Sequence, residues 1–198
     1  FGDVLTRNDI VEALDCAVGE AVRWLEREAC FVRRGSNNRD AKTAPFEQWG
    51  TRRVQAAGFI AAGFNHRTSR AGDPQLHTHV LVANLAKGPD GRWSALDGQA
   101  LYRSKIAAGT VFQTALRNEL SSRLGVEWLP VTGGVADIAG IPRRVLRHFS
   151  KRRNEIETEL ERTGRSGAAA AADATLATRT VKLDIDQDTL DETWRDDG

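Results

Sequence analysis

The sequence predicts an α+β fold, an antiparallel β-sheet with helices packed against it. Three observations carry this expectation. Long segments at the start, middle and end repeat apolar residues at helical spacing. Residues 54–65 and 76–85 are instead short apolar runs bounded by turn residues. The elements follow one another as helix, strands, helix, hairpin and helices, an order that layers helices on a sheet.

The first helix is expected over Thr6–Ala29, where Ile10, Val11, Leu14, Val18, Ala21, Val22 and Leu25 recur at helical spacing. Thr6 with Asp9 offers a capping start, and Arg33-Arg34-Gly35 a stop. Ser36–Thr51 reads as a polar loop whose Phe46 and Trp49 pin it to the core or stack on bases. Strands are expected over Val54–Asn65 and Leu76–Leu85. The turn Gly88-Pro89-Asp90-Gly91 returns the chain into Arg92–Leu96, so residues 76–96 read as a hairpin. Asp97 caps a helix running to Leu124, and Gly125 ends it. Val126–Val131 and Val135–Ile138 flank Thr132-Gly133-Gly134 as a second hairpin. Pro142 suits the first turn of a helix reaching Arg162. Ala168–Ala172 reads as a short helix, and Trp194–Gly198 as the opening turns of a further element.

The bulk numbers set limits. A chain of 198 residues, 40% hydrophobic and 28% charged, is enough for one domain with a real core. No run approaches the roughly 18 apolar residues of a membrane span. Two cysteines argue against a disulfide scaffold and fit a reducing, cytoplasmic setting. The chain lacks methionine, including at position 1, and reads as a fragment. Net charge is +1 but unevenly spread. Arg143, Arg144, Arg147, Lys151, Arg152 and Arg153 form a block without acids, a candidate phosphate-binding face, whereas Leu183–Gly198 is strongly acidic.

Three of the four histidines fall in one stretch: His66, His77 and His79. On a strand, residues i and i+2 share a face, so His77 and His79 project together. His66 ends the preceding apolar run, across a polar turn holding Arg67 and Arg70. If the two runs pair, the three imidazoles meet and offer a divalent cation a three-nitrogen site with open positions. Other metal sites fit worse. A cupin-type site wants a glutamate shortly after His-x-His, where this chain has Leu81 to Leu85. The His-Glu-x-x-His of zinc proteases is absent. Cys16 and Cys30 have no Cys-x-x-Cys spacing.

The stretch Phe64-Asn65-His66-Arg67-Thr68-Ser69-Arg70, followed by Asp73-Pro74-Gln75-Leu76-His77-Thr78-His79, resembles the metal motif of MobF-class conjugative relaxases, the TrwC/TraI type. The likeness continues through Val82-Ala83-Asn84, Asp90–Trp93, Ala95–Asp97, Leu101-Tyr102 and the helix with Gln113, Ala115, Leu116, Glu119 and Leu120. It fades after Pro142, where Phe149–Arg152 still fits, and residues 1–52 match only in helix pattern.

The resemblance implies the palm-like fold of the HUH endonucleases, here incomplete at the N-terminus. It implies a single partial relaxase domain over residues 1–198, with a metal-binding core at 53–125 and a helical part at 142–198. Such proteins nick single-stranded DNA at a plasmid transfer origin with a tyrosine that becomes linked to the 5′ phosphate. His66, His77 and His79 would hold the divalent metal, magnesium or manganese with zinc as a further candidate. Arg67, Arg70, Arg143, Arg147, Lys151 and Arg152 would meet DNA. Conjugation accessory and coupling proteins are implied partners, and no membrane insertion is.

The chain also departs from the family pattern. The nucleophilic tyrosine and the aspartate that orients one metal histidine belong to an upstream segment absent from these residues. The single tyrosine, Tyr102, matches a tyrosine at a helix start rather than the nucleophile. The expectation is therefore a metal-binding relaxase segment with no catalytic residue of its own. The alternatives are a non-catalytic DNA-binding remnant and a metal-dependent phosphodiesterase that uses water.

Overall fold

The computed structural model describes residues 4–35, 51–179 and 186–197. Phe46 and Trp49 lie outside the described residues. The elements are α1 (Val4–Ala29), β1 (Phe31–Gly35), β2 (Thr51–Gln55), β3 (Ala61–Thr68), β4 (Pro74–Val82), β5 (Ala86–Lys87), β6 (Trp93–Ser94), α2 (Gly98–Leu124), α3 (Arg143–His148), α4 (Lys151–Thr163), α5 (Ala168–Ala177) and α6 (Gln187–Asp197). The α+β expectation is met: helices accompany strands that pair as β1–β2, β3–β4 and β5–β6. The chain clusters into two units, residues 2–64 with 78–136, and residues 65–77 with 137–198.

In the first unit α1 packs along α2. Ala13, Leu14 and Ala17 of α1 are buried, as are Ala108 and Leu120 of α2. The alanines at 13, 17 and 108 take little room at the contact, and Leu14 and Leu120 supply its bulk. A second core gathers Cys30, Val32, Ala56, Ala86 and Leu96, with Val54, Phe59 and Leu101 packed on it. The helix α2 starts where expected: the Asp97 side chain accepts from the Gln99 N–H at 3.1 Å. It stops at Gly125, whose φ of 64° is the left-handed conformation that glycine adopts without strain.

Several expectations need correction. Arg33-Arg34-Gly35 is not a helix stop but part of β1, which pairs antiparallel with β2 in the register Arg33↔Arg53 and Arg34↔Arg52. Residues 54–65 are not one strand, because the chain changes partners there. Ala56 N–H donates to Cys30 O at 2.8 Å and Ala57 N–H to Lys87 O at 2.9 Å, which ends β2 before β3 begins. Residues 76–96 are likewise not one hairpin: β4 pairs with β3, and the Gly88–Gly91 turn closes the shorter β5–β6 ladder. Around Thr132-Gly133-Gly134 pairing stops at the single bridge Thr132↔Val135. Pro130 removes a donor from the flank that would extend it.

In the second unit the helix expected to reach Arg162 is broken at Phe149-Ser150 into α3 and α4. Ser150 Oγ donates to Leu146 O at 2.5 Å and Asn154 Nδ2 to Arg147 O at 3.1 Å. These side chains satisfy the carbonyls that end α3, so the backbone is released to turn. The alanine-rich helix α5 runs longer than expected, to Ala177.

Candidate metal centre

The site is built on the β3–β4 hairpin. Residues 69–73 close it, too short a connection for anything but antiparallel pairing. Ser69 organises the turn. Its N–H donates to Asp73 O at 2.9 Å. Its Oγ accepts from the N–H groups of Ala71 and Asp73, at 3.2 and 3.1 Å, and donates to Asp73 Oδ2 at 3.3 Å. Gly72 sits at φ 79°, open only to glycine at low cost. Asp73 is 3% exposed, and its Oδ1 is buried with no hydrogen-bond partner among the described residues. Pro74 then starts β4 with a fixed φ.

His66 stands on β3, and His77 and His79 on β4. The rings of His66 and His77 lie 5.3 Å apart, tilted by 55°. Each of the three residues offers a nitrogen, and these nitrogens all fall within 4.8 Å of one another. His66 and His77 are half-buried and His79 is exposed, so the cluster opens to solvent on one side. The His77 Nδ1 lies 2.9 Å from Gln75 O. A carbonyl only accepts, which assigns the proton to Nδ1 and leaves Nε2 its lone pair.

Three neutral nitrogens suit a divalent cation and leave its double charge undiminished. Among the described residues this is the group of three or more histidine, cysteine or acidic side chains able to hold one.

The arginines and lysine expected near DNA divide into separate situations. Arg67 is on β3, with Nη2 3.9 Å from Asp191 Oδ2. Arg70 is half-buried in the turn. Arg143 and Arg147 are exposed on α3. Lys151 Nζ lies 3.7 Å from Asp197 Oδ2, which also faces His148 Nε2 at 3.7 Å. Arg152 is 18% exposed and ties α4 to the end of α5. It donates to Thr178 O at 2.7 Å, Thr178 Oγ1 at 2.8 Å and Thr175 O at 2.6 Å. Within the basic block Arg152 is thus engaged by the fold, while Arg143, Arg147 and Lys151 remain exposed.

A second charged group was not anticipated. Asp97, with a fully buried side chain, accepts from Arg33 Nη2 at 2.9 Å and from Arg53 Nε. The Arg33 hydrogen bond leads in holding its carboxyl low, at about 2, against desolvation. Beside it Arg34 grips both Asp90 oxygens, at 2.9 and 2.8 Å, and the Arg34 bond holds Asp90 at about 2. The Arg-Arg pairs at 33–34 and 52–53 were the available signal. Tyr102 lies in the first turn of α2, 69% exposed, with Lys105 Nζ 4.1 Å from its ring centre.

Comparison with known proteins gives a consistent answer. The TrwC relaxase family model matches residues 1–198. The multifunctional conjugation protein TraI of Escherichia coli is 33% identical over 153 residues, 71% of this chain and 8% of that protein. TraI of strain K12 is 31% identical over the same length, again spanning 8% of the relative. Among solved structures, the metal-free conjugative relaxase TrwC in complex with oriT DNA matches with a TM-score of 0.83 at 27% identity. That match covers 96% of this chain and 64% of TrwC. The metal-bound TrwC–oriT complex matches with a TM-score of 0.82 at 28% identity, covering 96% and 63%. Among the described residues no helix is long and apolar enough to cross a membrane. Matched by one family model along its full length, and carrying three convergent histidines on one hairpin, the chain belongs to the TrwC relaxase family.

Proposed function

We propose that this chain is the metal-binding portion of a conjugative relaxase domain, an enzyme that nicks single-stranded DNA at a plasmid transfer origin through a tyrosine nucleophile. The carrying observation is the convergence of His66, His77 and His79 on one hairpin in a chain that the family matches throughout. The three imidazoles would hold one magnesium or manganese ion, which when bound polarises the scissile phosphate and stabilises the charge developing on its oxygens. With Nδ1–H donating to the Gln75 carbonyl, the neutral His77 ring keeps the lone pair on Nε2 for the metal. Arg67 and Arg70, beside the histidines in the chain, and Arg143, Arg147 and Lys151 supply cations for the DNA backbone. Arg152, of the same basic block, is bonded to Thr175 and Thr178 and serves to hold α4 and α5 together. The setting is the cytoplasm, where plasmid DNA is processed with accessory and coupling proteins.

The nucleophile belongs to a segment outside these 198 residues. Tyr102 is read as an anchoring residue instead, near the start of α2 with Lys105 Nζ 4.1 Å from its ring centre. The test is incubation of the chain with manganese and single-stranded origin DNA, followed by a search for a covalent protein–DNA band. No band is expected from the chain alone, and one is expected after addition of a tyrosine-bearing relaxase segment. A band from the chain alone that vanishes in Tyr102→Phe overturns this assignment. Cleavage without a covalent adduct would identify a water-using phosphodiesterase.

A further inference from the structure

Helix α6 reaches the turn between the metal-bearing strands across 122 residues of sequence. The indole Nε1 of Trp194 donates to Gly72 O at 2.8 Å, and Trp194 is 5% exposed. Leu190 Cδ2 lies 4.0 Å from where a Cβ on Gly72 would stand. Asp191 Oδ2 is 3.9 Å from Arg67 Nη2. Leu190, Asp191 and Trp194 are spaced i, i+1 and i+4, so one face of α6 meets the turn and the strand beside it. The Arg67–Asp191 pair is part-exposed and long, and contributes little. The directed bond from a buried indole is the specific contact.

We propose that Trp194 is a positioning residue for the metal centre. It holds the Gly72 peptide, the peptide fixes the turn, and the turn sets how β3 and β4 leave it toward His66 and His77. The proposal rests on reading the three histidines as a metal site. Donors already within 4.8 Å need little further ordering when an ion arrives. A hairpin released at its tip would have to be ordered at that moment, and the lost freedom would be taken from the affinity. Trp194 touches no reacting group, so its effect runs only through the turn.

The test compares wild type, Trp194→Phe and Trp194→Ala. Phenylalanine keeps an aromatic ring in the packed position and removes the N–H donor together with part of the indole's volume. Manganese affinity is read by calorimetry, and amide hydrogen exchange over residues 69–77 is read in metal-free protein. Trp194→Phe should weaken manganese binding about fivefold, as expected for one net hydrogen bond. It should also speed exchange across the turn, with only the modest fall in thermal midpoint that the smaller ring brings. Trp194→Ala should exaggerate both effects, and if it fails to fold, the phenylalanine variant carries the test. Wild-type affinity and wild-type exchange in Trp194→Phe overturn the proposal. So does a lowered midpoint with affinity unchanged, the mark of a merely structural residue. If wild type itself binds no manganese, the metal reading fails, and unchanged exchange in Trp194→Phe would separately overturn the clasp.

Discussion

At Asp97 unlike charges cancel; on the β3–β4 hairpin three like groups are brought together. Asp97 is buried, takes bonds from Arg33 and Arg53, and caps α2 through the Gln99 N–H. Its charge finds partners within the fold, so the arrangement is stable as it stands. The cluster of His66, His77 and His79 gathers nitrogen donors within 4.8 Å and leaves one side open. Whatever each ring contributes to the fold, the convergence of three donors acquires its value when a cation arrives. The two regions thus separate stability from binding, and variants at each should move different observables.

The largest expected effect is on binding. His77→Ala removes one of three ligands and should weaken manganese affinity by more than tenfold, each decade being ~1.4 kcal/mol. The metal-free thermal midpoint should fall by less than in an Asp97 variant, since only a half-buried ring and its contact with Gln75 O are lost, and His148→Ala, outside the cluster, should leave the affinity intact. Calorimetric titration and a thermal melt on the same sample check both halves. A metal-free His77→Ala protein that melts as early as an Asp97 variant would erase the contrast.

The next effect is on stability. Asp97→Ala loses the helix cap and a charged acceptor for two part-exposed arginines, about 2 kcal/mol in all. For a chain of this size that lowers the midpoint by roughly 4–8 °C, with manganese affinity unchanged. The pH dependence sharpens the point. The carboxyl of Asp97 is held at about 2 by Arg33 and Arg53, below the ordinary carboxylate value of about 3.9. A depressed folded value means that its contribution is complete above about pH 4 and is lost as pH falls toward 2. Asp97→Asn should therefore flatten, but not abolish, the loss over that window, because Asp90 is held at about 2 by Arg34 in the same way. Denaturant melts at pH 5, 4 and 3 measure it. Metal affinity falls with acid for a different reason, the need for neutral imidazoles, and Asp97→Asn should leave that profile unmoved.

The same contrast governs what the sequence revealed. The histidine site was legible because it is local. A turn joins two short strands, and strand alternation puts His77 and His79 on one face. The cap at Asp97 and the stop at Gly125 were legible for the same reason. The role of Asp97 as an acceptor was not, because Arg33 and Arg53 arrive from strands paired across the intervening residues. Arg33-Arg34-Gly35 also carries the ordinary marks of a helix end, which concealed β1. The break at Phe149-Ser150 has neither proline nor glycine to announce it and depends on side-chain bonds to carbonyls. Trp194 meets Gly72 across 122 residues, a distance at which no periodicity speaks.

The smallest effect separates cations that look alike in the sequence. Arg143 and Arg147 are exposed on α3, whereas the Arg152 guanidinium is spent on Thr175 and Thr178. If the exposed pair meets DNA phosphate, Arg143→Glu and Arg147→Glu should each reduce the log–log salt slope for single-stranded DNA by about 0.7. Arg152→Gln should instead loosen the α4–α5 pair, at about 1 kcal/mol, and leave the slope where it was. Affinity measured from 50 to 200 mM salt, beside a melt of each variant, distinguishes them. A slope lost equally at Arg143 and Arg152 would mean that phosphate outcompetes the threonine oxygens for Arg152. The division between charges satisfied inside the fold and charges held for a ligand would then end at Asp97.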